Sequence, residues 1–322
     1  MKLGLILVLA ILSVRLPADA QQAGKLHRIG VLSHDAFLPG LLESFQDGLR
    51  DLGYRDGKTI AFETRHADGK LERLPALAHE LVQLKVDVIF AINTPAALAA
   101  KKATTAIPIV ITRVTDPVKT GLVSNISRPG GNITGLSFIP ELLSGKRLEL
   151  LKEALPAVSR VAALWTADSA GATHVVMAMD SASARLGLQV LKTPVRAHSD
   201  FVAAVEDAKR DGAGALIVVD DAFVTRHRVE LVKLAGKHSL PVFSLFEPVA
   251  EAGGLMAYGP STSDMYRRAA YYVDRILKGE KPGDLPIEQP TRFHLVVNLK
   301  TAKALGLTIS ASLQLRADRL ID

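Results

Sequence analysis

The stretch of this chain best suited to hold a charged small molecule is Asn93-Thr94-Pro95-Ala96-Ala97. It closes an apolar run, Thr94 can cap a helix, Pro95 suits a first helical turn, and the alanines continue it. Free backbone N–H groups near Ala96 and Ala97, together with the helix dipole, would attract a carboxylate. An ordinary capped helix that binds nothing is the competing reading. The next apolar run ends at Thr112 and leads into Val114-Thr115-Asp116-Pro117. Asp116 has the charge to pair with a ligand ammonium, and Thr115 has a hydroxyl for a hydrogen bond. A turn-forming aspartate before proline accounts for these residues equally well. Ser33, His34 and Asp35 follow an earlier run. In the second half, Trp165 (the sole tryptophan), Asp220 with Asp221, Phe223, and Phe246 with Glu247 occupy corresponding positions. An aromatic ring at a cleft mouth can stack on a ligand. A lone tryptophan is more often packing, and Asp220-Asp221 can equally be a helix cap.

Catalytic patterns are missing from the sequence. It has no Walker-type phosphate loop, no G-x-G-x-x-G and no G-x-S-x-G elbow. The nine histidines are scattered, and none forms a metal-ligand pair at helical spacing. His79-Glu80 begins like a zinc-protease helix, but Gln83 stands where the second histidine belongs. The glycine-rich Arg128-Pro129-Gly130-Gly131-Asn132 precedes an apolar run, so it reads as a turn rather than a phosphate cradle. No catalytic residue, metal or cofactor is expected.

The candidate residues share one property: each follows a short apolar run. Five runs fill the first half (Ile29-Leu32, Thr59-Glu63, Val86-Ala91, Ile107-Ile111, Ile133-Ser137) and five the second (Val161-Trp165, Leu188-Leu191, Ala215-Val219, Pro241-Leu245, Gly254-Ala257). Between them lie stripes at helical spacing, such as Leu71, Leu74, Leu77, Ala78, Leu81 and Leu84, or Phe45, Leu49 and Leu52 ahead of Gly53. Strands alternating with helices give right-handed crossovers and parallel sheets. The fold class expected is therefore α/β, with two doubly wound parallel-sheet lobes, and open sheets of this type hold ligands at the carboxyl ends of their strands. The helix at Ser263-Leu277, with Met265, Ala269, Tyr272, Val273 and Ile276 on one face, comes after the second set of runs. It is assigned back to the first lobe. The expected domains are lobe 1 at 21–137 and 260–285, and lobe 2 at 138–259 and 286–322, joined by a multi-strand hinge that favours closure about a ligand.

Lys2, the apolar run Leu3-Leu12, Pro17 and Ala18-Asp19-Ala20 have the pattern of a secretory signal peptide at 1–20, cleaved after Ala20. The run is too short to span a bilayer, which takes about 20 apolar residues, so no membrane insertion is expected. The chain contains no cysteine, which removes disulfides, thiolate metal sites and cysteine lipidation. An exported chain without such staples fits a freely diffusing periplasmic protein. The formal charge is +6, but the basic residues do not cluster, so no nucleic-acid partner is expected.

Several blocks carry a resemblance. They are Phe45-Tyr54, Thr94-Ala100, Asp116-Pro117-Val118, "GLVSNISRPGGNITGLS" (121–137), "GKRLELLKEALP" (145–156), "EAGGLMAYGP" (251–260) and "LPIEQPTRFHLVVNLKTAKALGLTI" (285–309). In this order they resemble the substrate-binding proteins of ABC importers, in the group that includes tryptophan/tyrosine-binding members. The resemblance implies the type I periplasmic-binding architecture, with a ligand held between the lobes. It implies that Thr94 and the helix N-terminus there hold a ligand carboxylate, that Thr115 and Asp116 line the cleft, and that Trp165, Asp220 and Phe246 lie at second-lobe strand ends that close over the ligand. Ser33, His34, Asn93 and Phe223 join them as ligand-binding candidates by their position after the apolar runs. The chain departs from the group at Thr115, where glycine is usual before Asp-Pro, and at Thr166, where asparagine often follows the tryptophan. The function implied is capture of an amino acid or related small carboxylate for an inner-membrane ABC permease with its ATPase, by a monomer. A ligand-sensing subunit for a membrane receptor or kinase is the alternative. An exported hydrolase is a third reading, for which the sequence offers no nucleophile.

Overall fold

The structure, a computed structural model, describes residues 26–36, 40–167, 170–219 and 222–322. The expected signal segment and Asp220-Asp221 lie outside them.

The first lobe begins β1 (His27–Ser33), α1 (Leu41–Asp51), β2 (Ile60–His66), α2 (Leu74–Gln83), β3 (Val88–Ile92), α3 (Thr94–Ala103), β4 (Ile109–Thr115) and β5 (Ile133–Phe138). Its strands pair in parallel in the order β2-β1-β3-β4-β5. Strand β3 is buried along its whole length, which is why it reads as an unbroken apolar run. Val88, Phe90 and Ile92 face one hydrophobic cluster and Ile89 and Ala91 another, so helices cover both sides of the sheet. Phe45 of α1 stacks on Phe90, with ring centroids 4.1 Å apart. From the stripe expected over Leu71-Leu84, Leu74, Leu77, Ala78 and Leu81 are buried, whereas Leu71 is exposed because it sits in a separate 3-10 turn ahead of α2.

The second lobe contains α4 (Ser144–Ala154), β6 (Arg160–Thr166), α5 (Ala170–Ser183), β7 (Gln189–Val195), α6 (Asp200–Arg210), β8 (Ala215–Val218), α7 (Ala222–Arg226), α8 (Arg228–Lys237), β9 (Val242–Ser244), α9 (Glu247–Glu251) and β10 (Met256–Pro260). After α10 (Thr262–Leu277) come β11 (Phe293–Asn298), α11 (Leu299–Ala304), α12 (Ala311–Arg316) and β12 (Arg319–Ile321). The second sheet has the order β12-β11-β10-β9-β8-β6-β7, with β10 and β11 antiparallel. All ten apolar runs form strands, and β11 and β12 add two that the run pattern did not single out. Strand β12 spans three residues and buries little, so it has no hydrophobic signature.

Helix α10 packs on the first sheet, where Met265, Ala269, Tyr272 and Val273 share a cluster with Ile29, Phe45 and Phe90. The chain passes between lobes after β5, at Ser261, and ahead of β11. Before the last passage, Glu288 pairs with Leu136 through its backbone and Ile287 N–H donates to Ile126 O. The Glu288 carboxylate is held below its usual range, first by hydrogen bonding from Arg268, whose guanidinium donates to both carboxylate oxygens at 2.6 and 2.9 Å. Tyr54 donates to Asp274 of α10 (3.1 Å), and burial, then the charge of Asp274, pushes its phenol up to about 12.

The contact of α1 with α10 depends on Gly48. A Cβ there would lie 2.8 Å from both Ala270 Cβ and Arg267 O. Alanine would gain about 1 kcal/mol of helix propensity, but overpacking typically costs about 1–3 kcal/mol. Gly48→Ala should therefore lower the urea midpoint, by a net loss on the order of 1 kcal/mol. A midpoint at or above the parent's would mean that α10 does not sit as closely on α1 as described.

Candidate ligand-binding cleft

The carboxyl ends of the first sheet bring Ser33, Asn93, Thr94 and Thr115 together. Ser33 is opposite Ile92 in the β1–β3 register, so it neighbours the head of α3. Asn93, not Thr94, is the cap: its side-chain oxygen accepts from Ala96 N–H at 3.2 Å. The Ala97 N–H donates to Asn93 O at 3.1 Å. Both amides expected to meet an anion are thus already engaged, because the cap and the first helical bond use them. Among the described residues, Thr94 N–H has no such partner. The Thr94 hydroxyl oxygen accepts from Thr115 N–H at 3.2 Å, which orients its hydrogen for donation elsewhere. Thr94 therefore offers two donors from one residue at the positive end of a helix.

The same edge carries backbone strain. Asp68, Asn93, Arg113 and Asp116 have φ of 53°, 75°, 53° and 32°. Asn93, with ψ 165°, occupies a region that is essentially glycine's. Each such residue costs about 1–3 kcal/mol, and strain of this kind collects at ligand clamps. At Arg113 the β4–β5 register shifts. The Arg113 guanidinium lies 4.5 Å from the centroid of the Phe246 ring.

Asp116 is only partly available. Its carboxylate accepts from Lys119 N–H (3.0 Å) and lies 3.5 Å from the Lys119 ammonium, the turn role weighed above. Nearby, Glu141 stands on the first passage between lobes, and its Oε2 is buried with no hydrogen-bond partner among the described residues. Sequence reasoning missed Glu141 because nothing in the run pattern marks a hinge residue. Arg113 had a visible signal, a charge inside an otherwise apolar strand.

Ser33 and His34 are buried at the end of β1 and its loop. His34 Nδ1 is 3.3 Å from Asp35, and Asp35 Oδ1 is 3.4 Å from Arg226 Nε on the second lobe. A Cβ on Gly69 (φ +77°) would collide with that guanidinium. The lobes therefore touch across the rim through Arg226, a residue the sequence pattern did not point to.

On the second lobe, Trp165 is 8% exposed and packs on the α4–α5 side of its sheet, with Thr166 following. Its indole N–H and the Thr166 hydroxyl are buried without hydrogen-bond partners among the described residues. Phe223, half-buried, lies against Phe201 and His227 at centroid distances of 5.5 and 5.0 Å. Phe246 is 2% exposed, with its ring edge-on to Phe138 and one face under Arg113. It is part of the packing between lobes. Arg147, also buried, donates to Val218 O at the end of β8 (2.8 Å). A surface hollow lined by Lys101, Leu122, Gly130 and Ile133 lies at the opposite, amino-terminal end of β5, and Lys101 there already donates to Gly121 O.

Two lobes, three passages and polar groups gathered at strand ends describe a binding cleft. Residues 27–321 match the ABC transporter substrate binding protein family. The chain belongs to that family. Its members bind solutes and are not enzymes. The chain is 28% identical, over 82% of its length and 76% of the relative's, to a tyrosine-binding protein of Clostridioides difficile. It also resembles, at 26% identity and a TM-score of 0.84, an ABC domain in complex with L-Trp from Streptococcus pneumonia, with 92% of this chain and 100% of that one covered. Against a ligand-free, open substrate-binding protein with adhesive properties from Clostridium difficile the TM-score is 0.69, at 25% identity and with 92% and 99% covered. The Asp35–Arg226 contact bridges the two lobes across the rim.

If that rim contact helps hold the lobes together, Arg226→Ala should shift the protein toward the open form. A half-exposed ion pair contributes about 0.2–1 kcal/mol, so the open-to-closed ratio should rise by up to about fivefold. Fluorophores placed on the two lobes would record this as reduced energy transfer in the absence of ligand. Unchanged transfer would remove Arg226 from closure.

Proposed function

We propose that this ABC-transporter substrate-binding protein works in the periplasm, captures an amino acid with an aromatic side chain, and presents it to an inner-membrane permease with its ATPase. The observation that carries the reading is Thr94, with two donors at the head of α3, which follows β3 between the ends of β1 and β4 that carry Ser33 and Thr115. That arrangement suits a carboxylate. Relatives named for tyrosine binding or holding L-Trp support an aromatic side chain. The signal pattern at 1–20 supports export.

In this reading the ligand carboxylate meets Thr94, and its ammonium meets the acidic groups of the hinge edge, Asp116 and Glu141. The indole N–H of Trp165 and the Thr166 hydroxyl supply polar contacts from the second lobe, with Asp220 and Phe223 at its adjoining strand end. Thr115 and Thr166 replace residues usual in the group, so they tune which side chain fits. Phe246 acts from behind, by fixing Arg113 and the lobe packing. Ligand contacts made only in the closed form shift the open–closed equilibrium toward closure.

L-Tyr, L-Trp, L-Phe, L-Leu and small carboxylic acids should be compared by thermal shift and calorimetry. A cognate ligand at 100 times its Kd should add about 2.7 kcal/mol of stability. Thr94→Val removes a hydrogen bond to a charged group, a loss of about 1.5–3 kcal/mol or roughly ten- to a hundredfold in affinity. Thr94→Ser, which keeps the hydroxyl, should bind nearly as the parent does. Equal affinity in the parent and a folded Thr94→Val would place the carboxylate elsewhere. Stabilisation by none of these compounds would overturn the ligand class.

A further inference from the structure

On the rim of the second lobe, His198, His227 and Glu230 bring one potential metal-ligand atom each within 4.8 Å of one another. His198 belongs to the loop between β7 and α6, while His227 precedes α8 and Glu230 stands three residues on, in its first turn. Residues three apart at a helix start share a face. Glu230 Oε2 is 2.6 Å from His198 Nε2, and the two imidazoles stack with centroids 4.6 Å apart. Phe201, buried beneath them, meets both rings nearly edge-on at 5.5 and 6.0 Å. The imidazoles are thereby held by packing, while His198 and Glu230 keep side-chain exposures of 45% and 61%. An ion can reach them from solvent.

We propose that this trio binds a divalent late-transition metal, with Zn²⁺ as the representative ion. Two imidazoles and a carboxylate form a borderline donor set that favours Zn²⁺, Cu²⁺ or Ni²⁺ over the oxygen-seeking Mg²⁺ and Ca²⁺. Zn–N and Zn–O bonds are about 2 Å, so modest rotation of the exposed side chains converts the present spacing into three ligands, with water completing a tetrahedron. The chain has no cysteine to compete for such an ion. Bound there, the ion ties the 196–199 loop to the turn between α7 and α8, on the lobe-2 rim next to Arg226. Sequence spacing alone hid the site, because His198 and His227 are 29 positions apart and are joined only by the fold.

Calorimetric Zn²⁺ titration of the full, tag-free protein tests this without any organic ligand. One equivalent should bind and raise the melting temperature. His198→Ala, His227→Ala and Glu230→Gln should each weaken that binding at least tenfold, since even residues that only support metal ligands cost about 10–100-fold. All three should keep the parent's melting temperature without metal to within a few degrees. The proposal fails if the triple variant binds and is stabilised by Zn²⁺ as the parent is. It fails equally if the parent takes up no Zn²⁺, or if all single variants titrate like the parent.

Discussion

Parallel strands have both faces covered, and that constraint shapes the rest of this molecule. In each lobe the strands alternate their side chains between two apolar clusters, leaving no room on either face for polar chemistry. Polar and charged groups are displaced to the ends of the strands. Because the five strands of the first sheet run the same way, as do β6 to β10 of the second, their carboxyl ends gather along one edge of each sheet. Facing two such edges across a hinge makes a cleft, and the chemistry of the cleft is whatever the loops beyond the last apolar residue supply.

Those loops are not relaxed. Asn93 holds a backbone conformation that is nearly glycine's, and Arg113 and Asp116 add positive φ values on the neighbouring strand. The surrounding sheet over-determines these conformations, since β3 is buried along its length and pairs with β4 up to Thr112. The strain has a visible product. It turns α3 so that Asn93 caps it and Thr94, tied to Thr115, presents its remaining donors to the cleft. On the hinge side, Arg113 over Phe246 and Phe246 against Phe138 lock one edge of the lobes together. On the rim side, Arg226 pairs with Asp35 and lies against Gly69. A packed hinge with a thin, partly hydrated rim contact is what a protein needs if it is to open and close on a small solute.

Much of the fold was legible in the sequence, because burial on both faces writes strands as unbroken apolar runs and helices as stripes. Ten runs became ten strands, while β12 was invisible for the same reason, being short and scarcely buried. The site was legible only as positions. Thr94 could be singled out as a candidate from a strand end followed by Pro95; that Asn93 takes over the capping depends on a φ value no propensity predicts. Arg226, Glu141 and the histidine trio come from loops and turns whose neighbours are set by tertiary packing, so no local pattern could announce them.

The central claim is that Thr94 at the head of α3 receives the carboxylate of an amino acid in a closed cleft. A crystal structure of the protein purified with whatever ligand it retains would test it most directly. The account predicts a carboxylate within hydrogen-bond distance of Thr94 N and Oγ1, with the ligand's side chain reaching toward Trp165 and Phe223. A ligand without a carboxylate, or one bound with Thr94 facing only water, would contradict it.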